Sequence, residues 1–190
     1  MSVYCLIDRS GSMANCLDDT IGGFNTFLND QKINKCNFSI NLFDHEYTNL
    51  FTGNIVDAPY LSASNYIPRG STALFDSIGT LIKNVNEKGK VIIVILTDGF
   101  ENSSKYYTKE SIFDIITMKK NDNWEFIYLG ANQDAIEISK EFGISGNSAL
   151  SFDIDKIESA FKSLSCAVSR TVTGHTPVSF TPVERSISKC

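Results

Sequence analysis

The chain has 190 residues, of which 42% are hydrophobic, and a formal net charge of −5 at pH 7. This length and composition are typical of one globular domain and argue against a disordered chain. The mild acidity without a basic stripe argues against a nucleic-acid-binding protein, and no apolar run is long enough for a membrane-spanning helix.

The cysteines, histidines and N-terminus bear on the cellular compartment. The five cysteines are scattered and never spaced as CxxC, which predicts reduced thiols. The two histidines, His45 and His175, do not neighbour a cysteine pair, which argues against a zinc site. The first residues run into an apolar segment without a basic leader, so we expect no signal peptide and a cytoplasmic protein.

The first part of the chain predicts a strand, a helix and a hairpin. An unbroken apolar run at 2–7 is typical of a buried strand, and apolar residues at three- and four-residue steps over 13–28 predict a helix. The strand-like runs 38–43 and 47–52 are separated by three residues, which permits an antiparallel hairpin and forbids a parallel crossover. Residues 53–67 show no clear period and predict a long loop, of a kind that is often functional.

The rest of the chain alternates helices with apolar strands. Helical spacing at 74–85, 112–116 and 135–142 is interleaved with strand-like runs at 90–97, 124–129 and 149–152, and a last helix is predicted over 154–168. We therefore predict an α/β fold, with a mostly parallel central sheet, one antiparallel edge strand and helices on both faces.

The C-terminal residues differ in composition from the rest. We expect one domain over 1–170, followed by a Ser/Thr-rich segment at 171–190. Pro177 and Pro182 argue against helix in that segment, so we predict an extended or flexible arm.

Polar side chains follow the predicted strands at the edge where ligands bind in open parallel sheets. Asp8, Ser10 and Ser12 follow the first strand, Asp98 follows the strand at 90–97, and Thr72 lies in the loop before the helix at 74. Two carboxylates and three hydroxyls suit Mg²⁺ or Mn²⁺, which prefer hard oxygen ligands. The pattern predicts a metal site with one coordination position left for an outside acidic group, although each loop alone could be an ordinary turn.

The three loops together resemble the metal-ion-dependent adhesion site, MIDAS, of the von Willebrand factor type A (vWA) family. The matching residues are Asp8, Ser10 and Ser12 in DRSGS, Thr72 in GSTAL and Asp98 in TDG. The resemblance covers roughly 2–168 and implies a Rossmann-like fold in which these side chains hold the metal directly or through water. It also implies that a Glu or Asp of a partner completes the coordination. The chain looks closer to small stand-alone bacterial, phage or viral vWA proteins than to animal integrins.

Several polar residues near these loops are candidates for the rim of a partner-binding surface: Arg69, Glu101, Asn102 and Asn132. Each has an ordinary alternative. Arg69 could pair with a surface carboxylate. Asn132 and Gln133 could belong to a simple loop in which Asp134 caps the next helix.

These features predict a metal-dependent protein-binding or adaptor module that is not an enzyme, whose partner presents an acidic residue. We expect no histidine near the three loops and no Ser-His-Asp or Cys-His set for catalysis. One alternative is a Mg²⁺-dependent phosphohydrolase, although Ser10 stands where the second acid of a dehalogenase-type phosphatase belongs, and no GxxxxGK[ST] loop is present. Another is a phage or viral assembly scaffold in which the segment 171–190 docks on a neighbour. Neither nucleic acid nor membrane is an expected partner, and the oligomeric state stays open.

Overall fold

A six-stranded sheet forms the centre of the molecule, which a computed structural model describes over residues 1–87, 89–174 and 176–189. The strands are β1 (Ser2–Asp8), β2 (Asn37–Phe43), β3 (Tyr47–Asn54), β4 (Val91–Thr97), β5 (Trp124–Ala131) and β6 (Ala149–Phe152). They lie in the order β3-β2-β1-β4-β5-β6. Among the strands of these described ranges, only β2 and β3 pair antiparallel, so the predicted mostly parallel sheet with one antiparallel edge strand is confirmed.

Helices cover both faces of this sheet. They are α1 (Leu17–Gln31), α2 (Leu74–Asn84), α3 (Lys109–Asn121), α4 (Ala135–Glu141), α5 (Ile157–Gly174) and α6 (Pro182–Ile187). α1 and α5 contribute to the hydrophobic core on one face, whereas α2 and α3 contribute to the core on the other. β1 and β4 are buried along their whole length because both of their faces are covered, which explains their unbroken apolar sequences.

Close packing of α1 on α5 accounts for a glycine inside the first helix. A side chain at Gly23 would collide with the ring of Phe161. Phe161 lies in an aromatic group on this face together with Phe24 and Phe27. A glycine inside a helix lowers helix stability by about 1 kcal/mol relative to alanine. Here its missing side chain permits the two helices to approach.

The C-terminal segment differs from the sequence-based prediction. α5 continues to Gly174, and α6 follows in the segment that we predicted to be extended or flexible. Pro182 stands at the first position of α6 and Thr181 caps that helix, so this proline begins a helix where we expected it to prevent one. Val178 and Phe180 are buried, so this segment packs against the rest of the domain. His175 and Cys190 lie outside the described residues.

The cysteines in the described part of the chain are free thiols. Cys5, Cys16 and Cys36 are buried, and Cys166 is exposed. This agrees with the prediction of reduced thiols. Among the described helices, none combines the length and the apolar character that crossing a membrane requires.

Candidate metal site

Two loops meet at the edge of the sheet where β1 ends. The loop after β1 begins at Arg9, whose backbone N–H donates to Phe43 at the end of β2, 2.7 Å away. The loop before α2 crosses over it, because the Arg69 N–H donates to the Arg9 carbonyl at 2.8 Å and the Gly11 N–H donates to the Gly70 carbonyl at 3.1 Å. Gly70 has φ +66°, a left-handed conformation that favours glycine. These backbone bonds hold Ser10, Ser12 and Thr72 beside each other.

Side-chain hydrogen bonds connect the loops after β1 and β4. The Ser12 hydroxyl donates to Asp98 Oδ1 at 2.7 Å, and the Ser10 and Ser12 Oγ atoms are 3.2 Å apart. The Ser10 backbone N–H donates to Asp8 Oδ1 at 2.6 Å. Residues 86 positions apart in the sequence are therefore directly joined, as the strand-edge prediction requires.

Thr72 completes the group around Gly99. A methyl group added to Gly99 would lie 3.2 Å from Thr72 Oγ1 and 3.9 Å from both Asp8 Oδ2 and Ser12 Oγ. Side-chain oxygens from the loop after β1 and from the loop before α2 thus surround one small space beside the loop after β4, which the glycine leaves open. A space lined by hydroxyl and carboxylate oxygens fits a hard divalent cation such as Mg²⁺ or Mn²⁺.

Burial dominates the electrostatics of the two acids. Burial raises the pKa of Asp8 to about 6, against the opposing effect of hydrogen bonds from Thr97 and Ser10. Burial also raises the pKa of Asp98, although the Ser12 hydrogen bond works in the other direction. The negative charge of Asp98 adds to the increase at Asp8. Both carboxylates are consequently poised to gain from a nearby cation.

Two residues that the sequence analysis missed hold Asp8 in place. The Thr97 hydroxyl donates to Asp8 Oδ2 and also accepts the Gly99 N–H at 3.1 Å. The fully buried Tyr66 donates its hydroxyl to the Asp8 carbonyl. Thr97 directly precedes Asp98 in the TDG motif, and this position could have identified it from the sequence. Tyr66 lies in the loop 53–67, where no local pattern identifies its distant partner.

The candidate rim residues Arg69 and Asn102 mainly position other groups. Arg69 binds Asp44 and Glu46 at 2.9 Å and 2.6 Å, which is the carboxylate pairing considered as its alternative. Asn102 accepts the Thr72 N–H on its side chain at 2.9 Å, while its own N–H donates to the Thr72 carbonyl at 3.0 Å. Asn102 therefore fixes the backbone of the loop that carries Thr72.

Glu101 and Asn132 likewise bind backbone groups. Glu101 accepts the Phe75 N–H at 3.0 Å, at the start of α2. Asn132, at φ +52°, accepts the Ile154 N–H at 3.0 Å and so connects the end of β5 to the segment after β6. Asp134 accepts the Glu137 N–H and caps α4, as the ordinary-loop alternative proposed.

A second cluster of ionisable side chains lies next to the loop before α2. Asp44, His45 and Glu46 bring their potential ligand atoms within 4.8 Å of one another. His45 packs against Gly70, so the expectation of no histidine near the three loops is wrong. The short hairpin link that carries His45 folds over this loop, where the Asp44 carbonyl accepts the Ala73 N–H at 2.8 Å. Arg9 and Arg69 both bind Asp44, so this cluster is an ion-pair network.

Comparison with known proteins identifies the fold. No family model and no curated protein matches the sequence. The vWF domain of the pili tip protein Mfa5 from Porphyromonas gingivalis has a TM-score of 0.68 at 10% identity, covering 90% of this chain and 96% of that one. The pilus adhesin SpaC from Lactobacillus rhamnosus GG has a TM-score of 0.67 at 14% identity, covering 90% of this chain and 30% of that one.

A third solved structure has a metal in the corresponding type of site. Proximal thread matrix protein 1 from the mussel byssus, with a zinc-occupied MIDAS motif, has a TM-score of 0.64 at 15% identity, covering 88% of this chain and 47% of that one. The chain thus spans less than half of the SpaC and mussel proteins, but nearly all of the Mfa5 domain. At these identities the similarity concerns the fold, and the fold of this chain is that of vWA domains.

Proposed function

We propose that the chain is a metal-dependent protein-binding module. Asp8, Ser10, Ser12, Thr72 and Asp98 would hold one Mg²⁺ or Mn²⁺, and an Asp or Glu of a partner protein would complete its coordination. The observation that carries this proposal is the set of side-chain oxygens from three loops around the open space at Gly99.

The chemistry of the donor set favours binding of an anionic partner. Three of the five proposed ligands are neutral hydroxyls, so the site carries less negative charge than a cage of carboxylates would. The bound cation would supply an electrophilic centre that attracts an outside carboxylate. The hydrogen bond from Ser12 to Asp98 fixes the orientation of both side chains.

The structural neighbours support a binding role. SpaC is a pilus adhesin, Mfa5 is a pili tip protein, and the mussel protein is a thread matrix protein with zinc in its MIDAS motif. By analogy of fold we infer an interaction module for this chain, with the partner's acidic residue as the specific contact. The cytoplasmic location and the phage or viral origin remain predictions from the sequence.

Neither alternative function gains support from the geometry. His45 places its Nδ1 3.1 Å from Asp44 Oδ1 and packs against Gly70, whereas the nearest atoms around Gly99 belong to Thr72, Asp8 and Ser12. The scaffold alternative relied on a projecting C-terminal arm, but Arg170 and Glu184 join the described part of that segment to α5 at 2.6 Å. We therefore prefer the binding module.

Calorimetric titration of chelator-treated protein with Mg²⁺ and Mn²⁺ tests the proposal. We expect about one equivalent to bind to the unmodified chain, and no binding to Asp8→Ala. Asp122→Ala is a matched control, because Asp122 is an exposed acid that follows α3 and pairs with Lys119 at 3.5 Å. Excess acetate in the titration should strengthen metal binding by supplying the missing carboxylate. No detectable binding of either metal, with or without acetate, would refute the proposal.

A further inference from the structure

A cavity of about 470 Å³ opens beside the candidate metal site, on the face of the sheet covered by α2 and α4. We call it the aromatic pocket and define it by Phe75, Gly99, Phe100, Tyr128, Gln133 and Phe142, which all line it. Gly99 also borders the space between Asp8, Ser12 and Thr72. The pocket and the metal site therefore share a wall, and a single ligand could reach both.

The pocket walls are suited to a flat apolar group. Phe142 packs edge-on against Phe75 and Tyr128, with ring centroids 5.5 Å and 5.9 Å away. Phe100 contributes a ring that is 67% exposed to solvent, whereas Tyr128 and Phe142 are buried. Aromatic rings in such edge-to-face groups pack favourably on a further ring. Lys109 and Glu141 also line the cavity and pair with each other at 3.0 Å, which gives an apolar pocket a polar rim.

Gln133 adds a specific polar contact to this pocket. Its Nε2 donates to the Thr97 carbonyl at 3.4 Å. Its Oε1 is buried and has no hydrogen-bond partner among the described residues. The Gln133 side chain also lies beside the Tyr128 hydroxyl, where their hydrogen bond opposes the burial that raises the pKa of Tyr128. Buried acceptors are nearly always paired, and a donor from a ligand in this pocket would pair with Oε1.

We propose that the aromatic pocket receives a Trp or Tyr side chain of the same partner that presents its carboxylate to the metal. This inference rests on the proposed function and specifies its partner: an acidic residue with an aromatic residue next to it or one position beyond. Neighbouring Cα atoms are about 3.8 Å apart, which suits two sites that share Gly99. The indole N–H or phenol O–H of that side chain donates to Gln133 Oε1.

Binding of small probes to the full chain, followed by amide NMR spectra in saturating Mg²⁺, tests both parts separately. Propionate carries the carboxylate without the ring, indole carries the ring without the carboxylate, and indole-3-propionate carries both. We expect indole-3-propionate to bind at least about tenfold more tightly than propionate, as expected when two contacts are linked. Its shifts should include Phe100, Gln133 and Gly99. 1-Naphthalenepropionate, which has no N–H donor, should bind more weakly than indole-3-propionate.

Variants of exposed or partly exposed residues identify the pocket. Ile138→Trp should fill the cavity and abolish the advantage of indole-3-propionate over propionate, because Ile138 lines it. Phe100→Ala should weaken indole-3-propionate about two- to tenfold without changing the propionate affinity. Gln133→Leu should remove the preference for indole over naphthalene. Tyr106→Ala is the control, because Tyr106 is an 85% exposed aromatic residue in the same loop as Phe100 but does not line the pocket.

The outcomes separate the pocket from the metal site. Propionate binding without any indole effect, or an indole effect that survives Ile138→Trp, would overturn the pocket and leave the proposed function intact. Indole shifts in the pocket without Mg²⁺-dependent propionate binding would overturn the two-point partner together with the proposed function. Mg²⁺-dependent tightening by the ring that Ile138→Trp removes and Phe100→Ala reduces would support the proposal.

Discussion

Asp8 and Asp44 are both fully buried acids at the same edge of the sheet, yet their surroundings differ in charge. Asp44 binds the guanidinium groups of Arg9 and Arg69 at 2.8 Å and 2.9 Å. Asp8 receives neutral donors from Ser10 and Thr97, with a second acid, Asp98, close enough to raise its pKa. One carboxylate is therefore neutralised by the protein itself, whereas the other is left for a cation from outside. The presence of cationic side chains beside the carboxylate, more than the number of oxygens, distinguishes this ion-pair network from the candidate metal site.

The largest expected effect is on stability at the neutralised acid. Asp44→Ala should lower the free energy of unfolding by about 3–5 kcal/mol, because it leaves the guanidinium of Arg9, only 11% exposed, without its partner. Urea denaturation would measure this change. Glu46→Ala is the control, with an expected loss of about 0–1 kcal/mol, since the Glu46 side chain is 60% exposed. Equal losses of unfolding free energy in the two variants would contradict the structural importance of the buried Asp44 charge.

The opposite sign is expected at the other acid. Asp8→Asn should abolish metal binding while leaving the metal-free free energy of unfolding at pH 7 unchanged or higher by about 1–3 kcal/mol. Burial makes the Asp8 charge unfavourable without a cation, as its raised pKa indicates. The same denaturation series with and without Mg²⁺ would measure both effects. A loss of stability comparable to that of Asp44→Ala would show that Asp8 is a structural acid.

Metal binding should depend on pH through Asp8. Its raised pKa of about 6 means that protons compete with the metal below that pH, so the apparent affinity should rise about tenfold per pH unit below 6 and level off above it. In metal-free protein the sign is reversed: a raised carboxyl pKa stabilises the fold at low pH, and this contribution is lost as pH rises through about 6. Titrations from pH 5 to 8 check the first trend, and an affinity independent of pH would contradict it.

A smaller effect is expected from the residue that positions Thr72. Asn102→Ala removes the acceptor for the Thr72 N–H and should weaken metal affinity about tenfold, as loss of supporting contacts does at other metal sites. Asn132→Ala is the matched control, because Asn132 makes the same kind of bond to the Ile154 N–H in another loop. We expect Asn132→Ala to cost stability without changing metal affinity. Metal titration of both variants would measure this, and equal weakening would indicate a general loosening of the fold.

Much of the fold could be predicted because its patterns are local. The apolar runs of β1 and β4 and the three-residue link between β2 and β3 each restrict the structure over a few residues. The expectation that the candidate ligands lie close together followed from the rule that parallel strands end at one edge of the sheet. The prediction for the C-terminal segment was wrong, and the reason is also local. Pro182 was interpreted as a helix breaker, although proline is favoured at the first helical position.

The sequence by itself determined the α/β architecture and predicted that the oxygen-bearing side chains after β1 and β4 and in the loop before α2 meet at one edge, because strand periodicity and chain order suffice for both. Only the tertiary structure decided which buried acid is neutralised. That outcome depends on Arg9 and Arg69 folding back onto Asp44, 35 and 25 positions away. The same holds for the Tyr66 bond to Asp8 and for the aromatic pocket beside Gly99, since contacts between distant residues leave no periodic trace in a sequence.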